Sequence, residues 1–344
     1  MASSLRLERS QEMSYPRLPP ELIRSVIEDV SEANIKDLLA CALVSRDWLA
    51  FARAIPDFCI WSEKEAMAFI ELIQAPNATF PPALRCMTIS KRDRPAPYIQ
   101  LIPMLSSFSS LRSLTLANLD LTEVPLPPTL TKLVLNYCHF ANHAAFIRSI
   151  SRLADLQHLN LWSMTWATPP GTENQSTSHT TDVPSLTLYH DELQKSYQYS
   201  LWPLRPRKFI LESEHYTVKQ LPVLSRYLVS LGTHLQELHL RHTRRSIGQL
   251  DYTANSDLQH LVIHEALYVI SKTLYASRSL QSLIAKIIPY FQLRTLTLHV
   301  KPGVQPSKST VDPWTAASMT TLLSHAAGET GAIANRHVET FCAV

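Results

Sequence analysis

The sequence predicts an α/β chain: a small N-terminal unit of three helices, followed by a solenoid whose short strands stack into a curved parallel sheet. Three observations carry this reading. Apolar residues at helical spacing run from Leu22 to Val30 and return between Leu38 and Phe51. The pattern Leu-x-x-Leu-x-Leu, or a close variant, recurs six times between Leu111 and Leu298. Only 6 of 344 residues are glycine, where an average chain has about 7%. Phosphate-cradling loops need glycine for tight turns and close backbone approach, so the shortage argues against a nucleotide-binding fold.

In chain order, residues 1–14 are polar and are expected to be a disordered tail. The helical unit follows over 15–55. Pro19 and Pro20 before Glu21 make a helix start, and Leu22, Ile23, Val26, Ile27 and Val30 form its stripe. Ser31 to Asn34 interrupts it with capping residues. A second run carries Leu38, Leu39 and Ala42, and a third carries Val44, Trp48, Leu49 and Phe51. Three helices in about forty residues bury too small a core to stand alone without disulfides or metal. They also hold more apolar surface than they can hide from one another. The surplus faces either another protein or the repeats behind it.

Residues 56–98 read as a linker with a helix over Ser62 to Ile73 and proline-bearing loops. The repeats occupy 99–300, with motif starts at Leu111, Leu130, Leu156, Leu235, Leu258 and Leu293. The interval from Leu156 to Leu235 has room for about three repeats and contains weaker strands at Ser185 and Lys208. In each motif the last two leucines alternate on a strand and point inward. No repeat buries them alone, so neighbours must stack. A return helix is written into Val218 to Gly232, with Leu221, Leu224, Leu228 and Leu231 as its stripe and Gly232 at its C-terminus. The polar segment Trp166 to Ser185 reads as a mobile insertion. Residues 301–344 are expected to be partly disordered, with a helix over Trp314 to Ala327.

Periods of 20 to 29 with this motif are the signature of leucine-rich repeats. Leu130 to Phe140, LTKLVLNYCHF, nearly matches that family's L-x-x-L-x-L-x-x-C-x-F. The other repeats replace the ninth-position Asn or Cys with Leu119, Met164, Thr243, Ala266 and Lys301, which predicts irregular turns.

The helical unit resembles an F-box. LPPELI at Leu18 to Ile23, the Leu38-Leu39 pair and CALVSRDW at Cys41 to Trp48 stand in that family's order and spacing. The form is similar to F-box proteins common in mushroom-forming fungi, and leucine-rich repeats often follow an F-box. The resemblance implies a substrate-recognition subunit of a Skp–cullin–F-box ubiquitin ligase that performs no chemistry itself. By position, Leu18, Pro19, Leu22, Ile27, Leu38, Leu39, Leu43, Val44 and Trp48 would face the Skp adaptor or support that surface, with Arg46 partly structural. The adaptor would link the chain to a cullin, and the repeats would hold an unidentified protein substrate. The alternative is a leucine-rich-repeat scaffold that binds a protein partner without ubiquitylation.

On such a sheet the residues flanking the inward leucines point out of the strands. Trp162, His239, Arg241 and His264 combine the residue types of a binding hot spot and are the candidate substrate-binding residues. Other chemistries find less support. The pairs His239/His242 and His260/His264 have no cysteine and few carboxylates near them, so no metal or other cofactor is expected. The basic clusters Lys91–Arg94, Arg205–Lys208 and Arg241–Arg245 are separate and read as solvated loops; with a net charge of only +3, no nucleic acid is expected. A Gly-x-Ser-x-Gly elbow is absent from the sequence, and no enzyme activity is expected. Five scattered cysteines, no apolar run long enough for a membrane span and no signal-like N-terminus point to the cytoplasm or nucleus.

Overall fold

A computed structural model describes residues 19–23, 25–26, 58–74, 84–90, 98–121, 125–167, 180–189, 203–212, 221–241, 250–270, 273–277, 294–301, 311–314 and 337–342. The chain divides into two compact units, Met1–Asp57 and Phe58–Val344. In the first, residues 20–23 and 25–26 are helical. The carbonyl of Pro19 accepts hydrogen bonds from the backbone N–H groups of Leu22 and Ile23, both at 3.1 Å, which closes the first turn. This agrees with the helix start read from the Pro-Pro-Glu sequence.

The second unit is a mixed α/β structure built on a thirteen-stranded sheet. Its strands are β1 (Phe58–Ile60), β2 (Cys86–Ser90), β3 (Ser113–Ala117), β5 (Lys132–Asn136), β7 (His158–Trp162), β9 (Thr181–Tyr189), β10 (Leu204–Glu212), β11 (Glu237–Arg241), β12 (His260–Ile270), β13 (Thr273–Ser277), β14 (Thr295–Lys301), β15 (Val311–Trp314) and β16 (His337–Cys342). From β1 to β12 every pairing is parallel, and β14 and β16 continue the parallel set. Only β13, against β12 and β15, is antiparallel. A second sheet holds β4 (Asp120–Leu121), β6 (His139–Phe140) and β8 (Thr165–Trp166).

Register explains the core. Phe58, Met87, Leu114, Leu133, Leu159, Leu186, Phe209, Leu238, Leu261 and Leu296 stand side by side across ten strands, and all are buried. Two residues on, Ile60, Ile89, Leu116, Leu135, Leu161, Leu188, Leu211, Leu240 and Ile263 form a second buried row. These are the inward leucines of the motif, extended by Phe, Met and Ile. Each such side chain contributes about 1.5–3 kcal/mol by leaving water.

Helices close over this face. They are α1 (Glu63–Gln74), α2 (Tyr98–Met104), α3 (His143–Ser151) and α4 (Leu221–Leu231). The ring of Phe69 in α1 lies 4.6 Å from that of Phe58 in β1. Tyr227 in α4 meets Phe209 of β10 edge-on at 5.5 Å and donates its hydroxyl to the Leu204 carbonyl at 2.9 Å. Burial pushes the Tyr227 phenol far above its ordinary pKa, so it stays protonated and keeps donating. Ser62 and Glu65 form a capping box on α1: the Ser62 hydroxyl accepts from the Glu65 N–H at 3.3 Å, and the Glu65 carboxylate accepts from the Ser62 N–H at 3.0 Å. At the other end of the array, Gly232 takes φ +51° just after α4, as a helix C-terminus requires.

Several expectations change. The sheet starts before residue 99, because β1 and β2 lie inside the expected linker 56–98. Their Phe58/Ile60 and Met87/Ile89 pairs fill the same two rows as leucine does elsewhere. The interval between the motifs at Leu156 and Leu235 is bridged by β9 and β10, which carry the weaker strands expected at Ser185 and Lys208; the steps from His158 to Ser185, Lys208 and Glu237 make three periods. The Trp166–Ser185 insertion is shorter than expected: Trp166 belongs to β8, and Thr181 to Ser185 lie in β9. Arg205, Arg207 and Lys208 sit on strand β10 and not in a loop. Within 301–344, β15 and β16 pair with the sheet; Trp314 ends a strand, and the rest of the helix expected over Trp314 to Ala327 lies outside the described residues.

The irregular turns predicted from the ninth motif position are not found at Leu119 and Met164, whose repeats turn as the Cys138 repeat does. Asn118, Tyr137 and Ser163 all adopt positive φ, at 57°, 52° and 54°. The ninth residue that follows, Leu119, Cys138 or Met164, is buried in each case. The chain then enters the small sheet, where the His139 N–H donates to the Leu119 carbonyl and the Thr165 N–H to the Cys138 carbonyl. Neighbouring backbones satisfy these turns, so the amide side chain of the family pattern is not needed.

Candidate functional site

The opposite face of the sheet is less buried and carries the candidate residues. Register places Trp162 beside Asn136, Tyr189 beside Glu212, and Glu212 beside Arg241. Leu161 pairs with Leu188 and Leu240 with Ile263, so the next residues continue the row: Trp162 by Tyr189 and Arg241 by His264. Trp162, Arg241 and His264 therefore share one row near the C-terminal ends of the strands. His239 lies one pleat back on the same face. The four residues form two patches about 14 Å apart, three strand spacings from β7 to β11.

The first patch is aromatic. Trp162 is 38% exposed, which places it at the surface and not in the core. Its ring stacks on Tyr189 with centroids 4.8 Å apart and planes 16° from parallel, a separation equal to the strand spacing. On its other side Tyr137 lies 5.9 Å away at a 35° tilt and is 49% exposed. The Tyr137 backbone N–H donates to the Trp162 carbonyl at 2.6 Å. Tyr137 and Tyr189 escaped the sequence reading. Tyr137 follows the strand, where only its positive φ aims it at Trp162, and Tyr189 ends a strand whose motif is weak.

The second patch is polar. Lys208 Nζ and His239 Nε2 both donate to Glu237 Oε1, at 2.8 and 2.6 Å. Burial alone would raise the Glu237 carboxyl, but the hydrogen bonds and charges of Lys208 and His239 outweigh it and hold the group below its ordinary value. The rings of His239 and His264 are 6.4 Å apart. His260 Nδ1 is hydrogen-bonded to the Thr295 hydroxyl. Lys208 and Glu237 were not singled out for this role, because their contact joins strands 29 residues apart in sequence. Among the described residues, no three His, Cys, Asp or Glu side chains come together as metal ligands would.

Of the expected adaptor-facing residues, Pro19 and Leu22 are described and exposed. Leu18, Ile27, Leu38, Leu39, Leu43, Val44 and Trp48 lie outside the described residues. Leu22, at 54% exposure, and Val26, at 41%, stand one helical turn apart on one face, while Ile23 is buried. No helix among the described residues is long and apolar enough to cross a membrane. In comparisons with known proteins, the chain matches no family model and no curated sequence.

Proposed function

We propose that this chain is the substrate receptor of a Skp–cullin–F-box ubiquitin ligase, acting in the cytoplasm or nucleus. Residues 15–55 form the F-box and dock on the Skp adaptor. The repeats after it form a leucine-rich-repeat solenoid whose open sheet face holds a protein substrate. The chain performs no chemistry. It raises the effective concentration of the substrate at a ubiquitin-transfer centre supplied by other subunits.

The observation that carries this reading is the exposed Leu22 and Val26 pair on a helix that begins with the F-box-like LPPELI. A small unit that leaves two large apolar side chains in water on one face has the composition of half an interface. The exposed aromatic patch supports a separate recognition role for the sheet face.

Co-purification with a Skp adaptor tests the proposal. Wild type should capture the adaptor, whereas Leu43→Asp and Trp48→Ala should not, with the melting of the Phe58–Val344 unit unchanged. A wild-type chain that captures no adaptor removes the ligase reading and leaves a scaffold that binds a partner without ubiquitylation.

A further inference from the structure

The aromatic column has three properties that together select a ligand. The first is conformational. Tyr137 is a bulky residue at φ +52°, a region that favours glycine. The two neighbouring repeats place Asn118 and Ser163 there. The positive φ belongs to the turn all three repeats share; at this one repeat it sets a half-exposed ring against Trp162.

The second is electrostatic. Ala117 and Asn136 share the row of Trp162 on β3 and β5, and Asn160 lies two residues back from it on β7; all three are uncharged. Lys132 and His158 lie four residues back along their strands, roughly 13 Å away. On the far side of Tyr189, Glu212 is in register with the oppositely charged Arg241. On β3, β5 and β7 the described part of the patch is therefore uncharged. It offers ring surface together with the amide donors of Asn136 and Asn160 and the indole N–H of Trp162.

The third is metric. The column spans roughly 10 Å across its two steps of 5.9 and 4.8 Å. A polyproline II helix turns once in three residues and about 9.3 Å, and its backbone carbonyls make no internal hydrogen bonds. Residues one turn apart on such a helix would meet the two ends of the column. Amide and indole donors beside the column match the free carbonyls of the ligand.

We propose that Tyr137, Trp162 and Tyr189, flanked by Asn136 and Asn160, form a recognition site for a proline-rich segment in polyproline II conformation. The proposal rests on reading this face as the receptor surface and is independent of the adaptor contact. The ligand arrives with little conformational entropy left to lose, which allows a small patch to hold it.

The test is isothermal titration of the full-length chain, without adaptor, with a ten-residue polyproline peptide. Gly/Ser and arginine-rich peptides of equal length serve as comparisons. Polyproline should bind at least about tenfold more tightly than either comparison. Trp162→Ala should weaken polyproline binding at least about tenfold. Tyr137→Asn, which keeps a residue type that tolerates positive φ, should weaken it with no loss of thermal stability. Absence of polyproline binding by wild type overturns the proposal, as does tighter binding of the arginine peptide. Folded Trp162→Ala and Tyr137→Asn variants that both bind as wild type also overturn it. A chain that binds polyproline but captures no adaptor keeps this site and loses the ligase reading; the reverse result removes this site alone.

Discussion

Replacing Asn255 by alanine should uncap α4. Asn255 is fully buried, and its Nδ2 donates to the Leu228 carbonyl at 2.8 Å and to the Gly232 carbonyl at 2.9 Å. Both carbonyls belong to the C-terminal end of the helix, where intrahelical partners run out. Removing the amide strands these two acceptors, at about 1–3 kcal/mol each when water cannot replace the donor. The Gly232 carbonyl is only partly buried, so its share lies at the low end. Deleting Asn255 Oδ1, a buried atom with no hydrogen-bond partner, returns about 1 kcal/mol. The net loss is about 2 kcal/mol, which lowers the melting temperature by about 4–8 °C in a domain of this size class. Asn255→Asp should be worse at pH 7. It removes both donors and aims a carboxylate at the negative end of the helix dipole. That carboxyl would have a raised pKa in the fold, so its penalty is largest above the folded value and fades as acid protonates it. Differential scanning fluorimetry of the three proteins at pH 7 and pH 5 reads all of this. An alanine variant melting within about 1 °C of wild type, or an aspartate variant more stable than alanine at pH 7, would refute the capping argument.

Glu237→Gln should cost under about 1 kcal/mol at pH 7, since the carboxylate is partly exposed and screened. The folded Glu237 pKa is depressed, so its stabilisation is present above the unfolded value of about 4.3 and is lost as pH falls through the folded value. The variant's urea midpoint should therefore fall less steeply than wild type's below about pH 5; equal slopes would exclude the cluster as a source of acid sensitivity. Leu133→Ala empties a site on the fully buried row and should cost about 2–5 kcal/mol in urea unfolding. A cost below about 1 kcal/mol would mean that the rows are not the core. Ser62→Ala removes half of the capping box on α1 and should cost about 0.5–2 kcal/mol, with hydrogen exchange accelerated in the first turn of that helix before anywhere else.

Much of the sheet was legible because its chemistry is local. In each Leu-x-x-Leu-x-Leu the strand and its buried pair sit within six residues, and β3, β5, β7, β11, β12 and β14 fall on motifs. The first strands were missed because a leucine template does not see Phe58-x-Ile60 or Met87-x-Ile89, although any large apolar pair fills the rows. Tertiary pairing decided β15 and β16, whose sequences carry no motif. At the candidate site, residue type singled out Trp162, His239, Arg241 and His264 as candidates. Tyr137 depended on a backbone conformation, and Lys208 on a contact across strands, neither of which composition encodes. Asn255 was equally silent, because the carbonyls it caps lie 23 and 27 residues away in sequence.

From β3 to β14, paired positions are separated by as few as 19 residues, from Ser113 to Lys132, and as many as 35, from His260 to Thr295. The leucine rows align regardless. Chain length varies between the strands, while the strands keep a fixed spacing. Sequence can thus be gained or lost between strands without shifting the register of the face that carries Trp162, while that face changes one residue at a time. Two kinds of evolutionary change are thereby uncoupled: growth of the scaffold and retuning of what it grips.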